Sequence, residues 1–289
     1  MTDPVSDAIP QPKVDLDLPN VARIYDYLLG GEVNWIADRL FGDRVAKQMP
    51  LIRQMALANR QFLNRVVAYL ARTGVRQFLD IGSGIPSAGN THEVADQIST
   101  DTHVVYVDNE AVAVAHGEEL LDAVGDPGRH AVVDADLRNP DDLWAKAMAT
   151  GVLDPDQPIA LLMISVLHLA QPGLDGQDVS YRSVARYREL LPVGSYLAIS
   201  HGTTDGAPPH IAREVKQVVD SFEHASNGQI ILRSRREIEL FMGDFAMVDP
   251  GMVWTPQWRP TEQTECLRQA IAFNDPSESI VWAGVGVKR

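Results

Sequence analysis

Three aspartates and a turn with two glycines are the residues of this sequence whose types and spacing could do chemistry. Asp80 lies just before a Gly-Ser-Gly turn at 82–84, and Asp108 and Asp136 each follow a later apolar segment. Glycine has no Cβ, so its backbone N–H groups can approach a ligand closely. Carboxylates at such positions can accept hydrogen bonds from ribose hydroxyls or pair with a cation. Each aspartate alone is also an ordinary turn former, so the expectation of a ligand site depends on all three together.

The residues around the turn discriminate between two classes of ribose-containing ligand. Ser87 stands where the dinucleotide fingerprint has a third glycine, which allows a helix N-terminus to pack onto a pyrophosphate. Asp80 would repel a pyrophosphate, but its carboxylate suits the ammonium group of S-adenosylmethionine. Asp108 is placed to bind the ribose hydroxyls, and Asp136 the adenine amino group. The pattern favours S-adenosylmethionine, and a nicotinamide-dependent oxidoreductase stays open as an alternative.

The segments that must position these residues alternate between strand and helix from Gly74 onward. Apolar runs predict five strands, with amphipathic helices between them, at about 75–82, 103–108, 130–137, 159–165 and 195–200. Such alternation is typical of an α/β fold, in which a parallel sheet is covered on both faces through right-handed crossovers. Two more strands, at 245–254 and 279–289, have no helix predicted between them. We therefore expect the sheet to end antiparallel.

The chain resembles a known superfamily in three segments. They are LDIGSG at 79–84, VVYVDN at 104–109 and DADL at 134–137, which look like motifs of class I S-adenosylmethionine-dependent methyltransferases. More narrowly, it resembles an actinobacterial S-adenosyl methyltransferase family in ARIYDYLLGG at 22–31, ANR at 58–60 and VLH at 166–168. This resemblance covers residues 20–287. It implies a Rossmann-like, seven-stranded methyltransferase fold with a mostly parallel sheet, an antiparallel C-terminal strand and a helical N-terminal cap.

The chain is therefore expected to have three parts. Residues 1–19 are rich in proline and aspartate, and such a segment cannot bury enough apolar surface to order itself, so we expect a flexible tail. Residues 20–73 have helical spacing throughout and form the expected cap. Residues 74–289 form the expected Rossmann-like domain that binds S-adenosylmethionine.

The expected cofactor site draws on the glycine turn, on four strand ends and on the first helix. Its predicted residues are Asp80, Gly82, Ser83, Gly84, Asp108, Asn109, Asp136, Leu137, Ser165, Arg23 and Tyr27. Arg23 and Tyr27 are four residues apart, which places them on one helix face, where they could close over the cofactor or the acceptor. Alternatively, Tyr27 only packs against its neighbours and Arg23 forms a surface ion pair.

Methyl transfer from a sulfonium needs little catalytic machinery. The protein has to hold the two reactants in line and exclude water, and an oxygen or nitrogen acceptor can also need a base. His168, after the fourth strand, is the candidate catalytic base, and His201, after the fifth, is the second candidate; either could instead be a hydrogen-bonded loop residue. Replacing His168 by Ala is expected to preserve cofactor binding and abolish turnover. No set of residues has metal-ligand spacing, so no metal site is predicted.

The amino-acid composition limits the classes of partner that this protein is expected to bind. The 25 Lys and Arg against 39 Asp and Glu give a net charge of −14, which argues against binding to nucleic acid or to anionic membranes. No apolar run approaches the ~18 residues of a membrane span, and the single cysteine, Cys266, excludes an intrachain disulfide and fits a reducing cytoplasm. We expect a cytoplasmic methyltransferase with a small-molecule acceptor. A non-catalytic regulatory protein that binds S-adenosylmethionine is the alternative, and the sequence does not indicate the oligomeric state.

Overall fold

The structure is a computed structural model that describes residues 15–87, 89–225, 229–262 and 271–289. Cys266 and residues 1–14 of the expected tail lie outside the described residues. The helices before the first strand are α1 (Val21–Leu29), α2 (Ile36–Gln48) and α3 (Ile52–Arg72). Asn20 begins α1 by accepting hydrogen bonds from the N–H groups of Ala22 and Arg23, and Gly30, with φ of 85°, ends it.

A mixed sheet forms the centre of the molecule. Its eight strands are β1 (Gln77–Ile81), β2 (His103–Asp108), β3 (His130–Asp134), β4 (Ile159–Ile164), β5 (Tyr196–Gly202), β6 (Ala246–Met247), β7 (Val253–Trp254) and β8 (Val281–Val287) in the described part of the chain. Their order is β3-β2-β1-β4-β5-β8-β6, with β7 paired to β8. Strands β1 to β5 are parallel, and β8 is antiparallel to its three neighbours. The expected parallel sheet with an antiparallel ending is confirmed.

The segment 245–254 differs from its prediction. It forms two short strands, β6 and β7, instead of one. Pro250 has no N–H to give to the sheet, and Gly251, with φ of 86°, donates its N–H to the Val248 carbonyl at 2.8 Å and closes a turn. The prediction of a single strand was wrong, and this split explains why the sheet has eight strands instead of seven.

Helices cover both faces of the sheet. Those after the first strand are α4 (Thr91–Asp96), α5 (Ala111–Val124), α6 (Pro140–Ala149), α7 (Ser180–Leu190), α8 (Pro209–Ala225) and α9 (Arg235–Glu239). Successive strand residues point to opposite faces. In β1, Leu79 therefore packs in the cluster of α6 and α7, whereas Phe78 packs in the cluster of α3 and α4.

A third apolar cluster lies beside the sheet. It joins α1, α2 and the start of α3 to α8 and to Ile280 and Val281. Most of α3 packs instead on the sheet itself, through residues such as Phe62 and Val66. Of the expected cap, α1 packs on α2 and α3, whereas α2 also packs on α8. The division at residue 73 stays a prediction.

Candidate functional site

A cavity of about 640 Å³ opens where β1, β2 and β4 end. Ligands of open α/β sheets bind at the carboxyl ends of the strands, where the strand order reverses, and in this sheet the order reverses between β1 and β4. The predicted site residues that line the cavity are Arg23, Asp80, Gly82, Ser83, Gly84, Asp108, Asn109, Leu137, Ser165 and His168. Tyr27 and Asp136 are not among its lining residues.

The glycine turn after β1 is locked to the end of β2. Gly82 has φ of 71° and Gly84 φ of 66°, values that side chains disfavour. The Gly82 N–H donates to the Val107 carbonyl at 2.8 Å, and the Gly84 N–H donates to Asp108 Oδ2 at 2.8 Å. A Cβ on Gly82 would lie 2.5 Å from Val166 Cγ2, whereas one on Gly84 would meet nothing within 4 Å. Gly84 therefore leaves open space for a ligand.

Asp80 is buried below this turn and is 4% exposed. Its Oδ2 accepts a hydrogen bond from Thr91 Oγ1 at 2.7 Å. Burial raises the pKa of Asp80 to about 6, against the opposing effects of the Thr91 hydrogen bond and the Arg60 charge. Within the described residues, no cationic group lies within ion-pair distance of it. A buried carboxylate without a cation beside it favours a ligand that brings one.

The Asp108 carboxylate holds two loops together at the end of β2. Oδ2 accepts the Gly84 N–H, and Oδ1 accepts the Glu110 N–H at 2.9 Å. Burial raises the pKa of Asp108. Each carboxylate oxygen has a second lone pair, so Asp108 can also accept a hydrogen bond from a ribose hydroxyl. Asn109 lines the cavity beside it.

The two predicted residues after β3 are placed differently. Leu137 lines the cavity, and so does Arg138. The Asp136 carboxylate instead accepts hydrogen bonds from the backbone N–H and the Nε of Arg138, both at 2.9 Å. This internal ion pair occupies Asp136 without bringing it to the cavity wall, and its proposed bond to the adenine amino group stays a prediction.

Ser165, just after β4, ends a hydrogen-bond chain that crosses the site. It has φ of 56°, and its N–H donates to Ser200 Oγ at 2.9 Å. Ser200 Oγ donates to Asn59 Oδ1 at 2.6 Å, and Asn59 Nδ2 donates to the Tyr25 hydroxyl at 3.0 Å. The chain joins α1 and α3 to the ends of β4 and β5. The sequence prediction missed Tyr25, Asn59 and Ser200 as site residues, although Tyr25 lies in the ARIYDYLLGG segment and Asn59 in the ANR segment.

His168 lines the cavity close to Ser165 in the chain. Its Nδ1 is buried and has no hydrogen-bond partner among the described residues. Burial, together with the Arg233 charge, lowers the pKa of His168 to about 4. The imidazole is therefore neutral at pH 7, which is the form that can accept a proton, and its low pKa makes it a weaker base than an ordinary histidine.

His201 has a structural role. Arg233 Nη1 donates to His201 Nε2 at 2.9 Å, so the other nitrogen, Nδ1, carries the proton that is donated to the Gly202 carbonyl at 2.7 Å. Arg233 also binds Asp178 Oδ2 at 2.6 Å and the Leu167 carbonyl at 2.7 Å. Burial lowers the pKa of His201 to about 3. Because both ring nitrogens are engaged, the geometry does not support the second candidate base.

Arg23 and Tyr27 of α1 point in different directions. Arg23 is 1% exposed, its Nε donates to Asp38 Oδ2 at 3.0 Å, and its Nη1 lies 3.8 Å from Glu110 Oε1 at the cavity. The Tyr27 hydroxyl donates to Asp43 Oδ1 at 2.6 Å. Arg23 is thus a buried, paired residue at the cavity wall instead of a surface ion pair, and Tyr27 packs away from the cavity.

The far half of the cavity consists of residues that the sequence did not single out. The lining side chains of α2, of α8 and of the segments around 230 and 280 are all apolar: Val45, Val215, Val218, Val219, Phe222, Ile230, Leu232, Ile280 and Val281. Helical periodicity marks them only as buried positions. We call this surface the apolar wall.

The donor and acceptor set at the strand ends fits S-adenosylmethionine. Asp80 can take the ammonium group, Gly84 leaves space for the ligand, and Asp108 can accept from the ribose. Over the described ranges, no group of three or more His, Cys, Asp or Glu side chains could hold a metal ion. Among the described helices, none is long and apolar enough to cross a membrane.

Comparisons with known proteins agree with this assignment. The family model described as S-adenosyl methyltransferase matches residues 7–289. A candidate methyltransferase from Thermobifida fusca YX is 35% identical, with 95% of this chain and 97% of that chain covered and a TM-score of 0.80. A DUF574 family protein from Streptomyces avermitilis MA-4680 is 33% identical, with 96% and 100% covered and a TM-score of 0.82.

More distant comparisons show the fold alone. Magnesium protoporphyrin IX methyltransferase from Synechocystis PCC 6803, solved with bound S-adenosylhomocysteine, is 13% identical, covers 92% of this chain and 93% of its own, and has a TM-score of 0.51. No curated protein matches the chain. The family match decides against the nicotinamide-dependent alternative. The chain belongs to the S-adenosyl methyltransferase family and is an S-adenosylmethionine-dependent methyltransferase of the class I, Rossmann-like fold.

Proposed function

We propose that the methyl acceptor is a small, largely apolar molecule with one protic oxygen or nitrogen, bound between the apolar wall and His168. One observation carries this proposal. The glycine turn and the apolar wall line the same cavity of about 640 Å³. S-adenosylmethionine, when bound, supplies the activated methyl group.

Different residues of this chain orient the cofactor, orient the acceptor and accept the proton. Asp80, the glycine turn and Asp108 orient the cofactor, while the apolar wall orients the acceptor and excludes water. Holding the two reactants in line is the main catalytic contribution that such a transfer needs. His168, neutral at pH 7 because its pKa is about 4, accepts the proton that the acceptor loses.

The size and chemistry of the cavity favour a small molecule over a macromolecule. The net charge of −14 opposes binding to a nucleic-acid backbone. A cavity lined largely by apolar side chains with a few convergent polar groups is typical of small-molecule sites. We also propose a cytoplasmic reaction, which the thiol-poor composition supports.

The first experiment measures turnover directly. S-adenosylmethionine binding is measured by calorimetry, and S-adenosylhomocysteine release is then followed with a panel of phenols, N-heterocycles, transfer RNA and protein. We expect release with members of the first two groups. Release only with RNA or protein would contradict the small-molecule proposal, and cofactor binding without release from any acceptor would favour the non-catalytic alternative.

A second experiment tests the apolar wall. Val218→Thr keeps the shape of a side chain that is 6% exposed but adds a hydroxyl, and an uncompensated buried hydroxyl costs about 1–3 kcal/mol. We expect the acceptor KM to rise about tenfold while S-adenosylmethionine affinity stays unchanged. Lys216→Glu, at an exposed position of the same helix, is the control. An unchanged KM in Val218→Thr, or equal effects in the two variants, would place the acceptor elsewhere.

A further inference from the structure

We propose that Arg233 is a positioning residue for His168, which it holds at the cavity wall through the Leu167 carbonyl and the His201 ring. This inference rests on the proposed function, in which His168 is the base. It gives a role to a buried arginine that is not among the lining residues of the cavity and that the sequence did not single out.

The His168 side chain makes few contacts that could orient it. It is half-buried, and its buried Nδ1 has no hydrogen-bond partner in the described part of the chain. Its ring packs edge-to-face with the ring of His201, with the centroids 5.9 Å apart and the planes at 73°. The orientation of His168 therefore depends on the backbone that carries it and on the position of the His201 ring.

Arg233 binds both of these supports. Its Nη1 donates to the carbonyl of Leu167, the residue before His168, at 2.7 Å, and to His201 Nε2 at 2.9 Å. Arg233 is 5% exposed, and its Cζ lies 5.2 Å from the centroid of the Phe241 ring. One buried, planar guanidinium thus fixes the backbone before the proposed base and the ring beside it.

Asp178 balances the charge of Arg233 and holds the other end of the same segment. Arg233 Nη2 donates to Asp178 Oδ2 at 2.6 Å, and Asp178 Oδ1 accepts the N–H of Gln171 at 3.0 Å. Between these two points, the Ile231 N–H donates to the His168 carbonyl at 2.8 Å. The segment that carries the proposed base is therefore fixed at both ends by one ion pair and in the middle by backbone pairing.

The same arrangement acts on the protonation of His168. In the described part of the chain, the charged and titratable groups that act on it are Arg233, which is bonded to Asp178, and His201. Burial, together with the Arg233 charge, lowers the pKa of His168 to about 4, because a neighbouring cation disfavours a second positive charge. His201 is neutral at pH 7, since its own pKa is about 3. Arg233 thus fixes the position of the imidazole and also favours its neutral form.

NMR of the histidine side chains tests the inference without an acceptor. The spectrum of His168→Ala identifies the His168 signals, which are then followed with pH in the wild type, Arg233→Gln and Arg233→Lys. We expect Arg233→Gln to raise the pKa of His168, because the cation is lost, and Arg233→Lys to keep it low. The nuclear Overhauser effect between the rings of His168 and His201 should weaken in both variants. An unchanged pKa and an unchanged Overhauser effect in Arg233→Gln would overturn the inference.

Steady-state kinetics at pH 8, where His168 is neutral, measure the positioning role separately. With the fastest phenol of the acceptor panel, kcat should fall about ten- to a hundredfold in Arg233→Gln, since a misplacement of about 1 Å can cost about a hundredfold. The affinity for S-adenosylmethionine, measured by calorimetry, should stay unchanged. Arg233→Lys should keep part of the rate, because an ammonium group carries the charge but lacks the planar fork.

The matched control is Arg235→Gln, two residues further along, where Arg235 pairs with Glu239 on the surface. It should equal the wild type in the pKa of His168 and in kcat. Equal losses of turnover and of cofactor affinity in Arg233→Gln would mean a general structural role and overturn the inference. If Arg233→Gln does not fold, a wild-type kcat and Overhauser effect in Arg233→Lys would overturn it. If the wild type methylates no phenol or N-heterocycle, the proposed function fails, and the NMR measurements still decide whether Arg233 holds His168.

Discussion

The two halves of the cavity are built on opposite principles. At the strand ends, polar groups such as Asp80, Gly84 and Asp108 stand within a few residues of a strand, on two neighbouring strands. At the apolar wall, Val45, Val218 and their neighbours come from segments far apart in the chain. The first half offers directional hydrogen bonds and charge, whereas the second offers shape and exclusion of water. The comparison teaches that the first half suits a polar, charged ligand, which we propose is the cofactor, and that the second half suits an apolar ligand, which we propose is the acceptor.

A hydrogen-bond chain connects the helices of the expected cap to the ends of β4 and β5. The hydrogen-bond chain from Tyr25 through Asn59 and Ser200 to Ser165 begins in the cap helix and ends beside His168. A buried chain of this kind fixes the relative positions of its members when every link is made. We therefore expect substitutions that leave this chain intact to affect only the ligand that they contact.

The largest expected effect comes from removing the proposed base between the halves. His168→Ala should lower kcat by at least a hundredfold, the lower end of general-base contributions, and leave S-adenosylmethionine affinity unchanged. Because the pKa of His168 is about 4, it is deprotonated over the whole neutral range, and the wild-type rate should be flat from about pH 6 to 8. Steady-state kinetics with His210→Ala, an exposed position, as the control would check this. An unchanged kcat in His168→Ala would contradict the role of His168 as a base. A wild-type rate that falls toward low pH with a midpoint near the ordinary histidine pKa would contradict its low pKa.

The next largest effect is expected when Asp80, at the strand-end half of the cavity, loses its charge. Asp80→Asn keeps the acceptor for Thr91 but removes the charge that pairs with the ammonium group, and should weaken S-adenosylmethionine binding about a hundredfold. The same change should stabilise the free protein at high pH. The folded pKa of about 6 lies above the ordinary value of 3.8, so ionised Asp80 lowers stability as pH rises between these values.

Denaturant unfolding of the free protein measures this second consequence. At pH 8 the free energy of unfolding of Asp80→Asn should exceed that of the wild type by at most about 3 kcal/mol, and near pH 4 the difference should vanish. A variant that is less stable than the wild type at pH 8 would mean that Asp80 supports the fold and not the ligand.

The smallest effect is expected for a substitution in the glycine turn after β1. Gly84→Ala places a Cβ in open space at the cavity, and its left-handed φ costs about 1 kcal/mol. Gly74→Ala is the matched control, since Gly74 also has a positive φ, 98°, and nothing within 4 Å of its Cβ position, but it lies outside the cavity. Thermal unfolding should report similar destabilisation for both. Only Gly84→Ala should lower cofactor affinity, by about tenfold. Equal affinities of the two variants would contradict a role of the glycine turn in cofactor binding.

The sequence predicted well where the residues at the strand ends lie, and the reason is physical. Parallel strands place their carboxyl ends at one edge, so locating the strands also located Asp80 and Asp108. Individual side-chain directions were less predictable. Asp136 turned to Arg138, and Tyr27 turned to Asp43, because a neighbouring partner competes with a ligand for the same group. The split at Pro250 was missed because the apolar pattern outweighed one missing N–H.

What the sequence determined by itself was the local chemistry: the glycine turn, the aspartates at the strand ends, the order of strands and helices, and the family. What only the tertiary structure decided was contact between distant segments. It packed α8 against α2 to form the apolar wall, engaged both nitrogens of His201, and left Asp80 buried without a cation beside it. The physical reason is that hydrophobic periodicity shows which side chains are buried but not which residues they contact. Those contacts depend on how the helices pack.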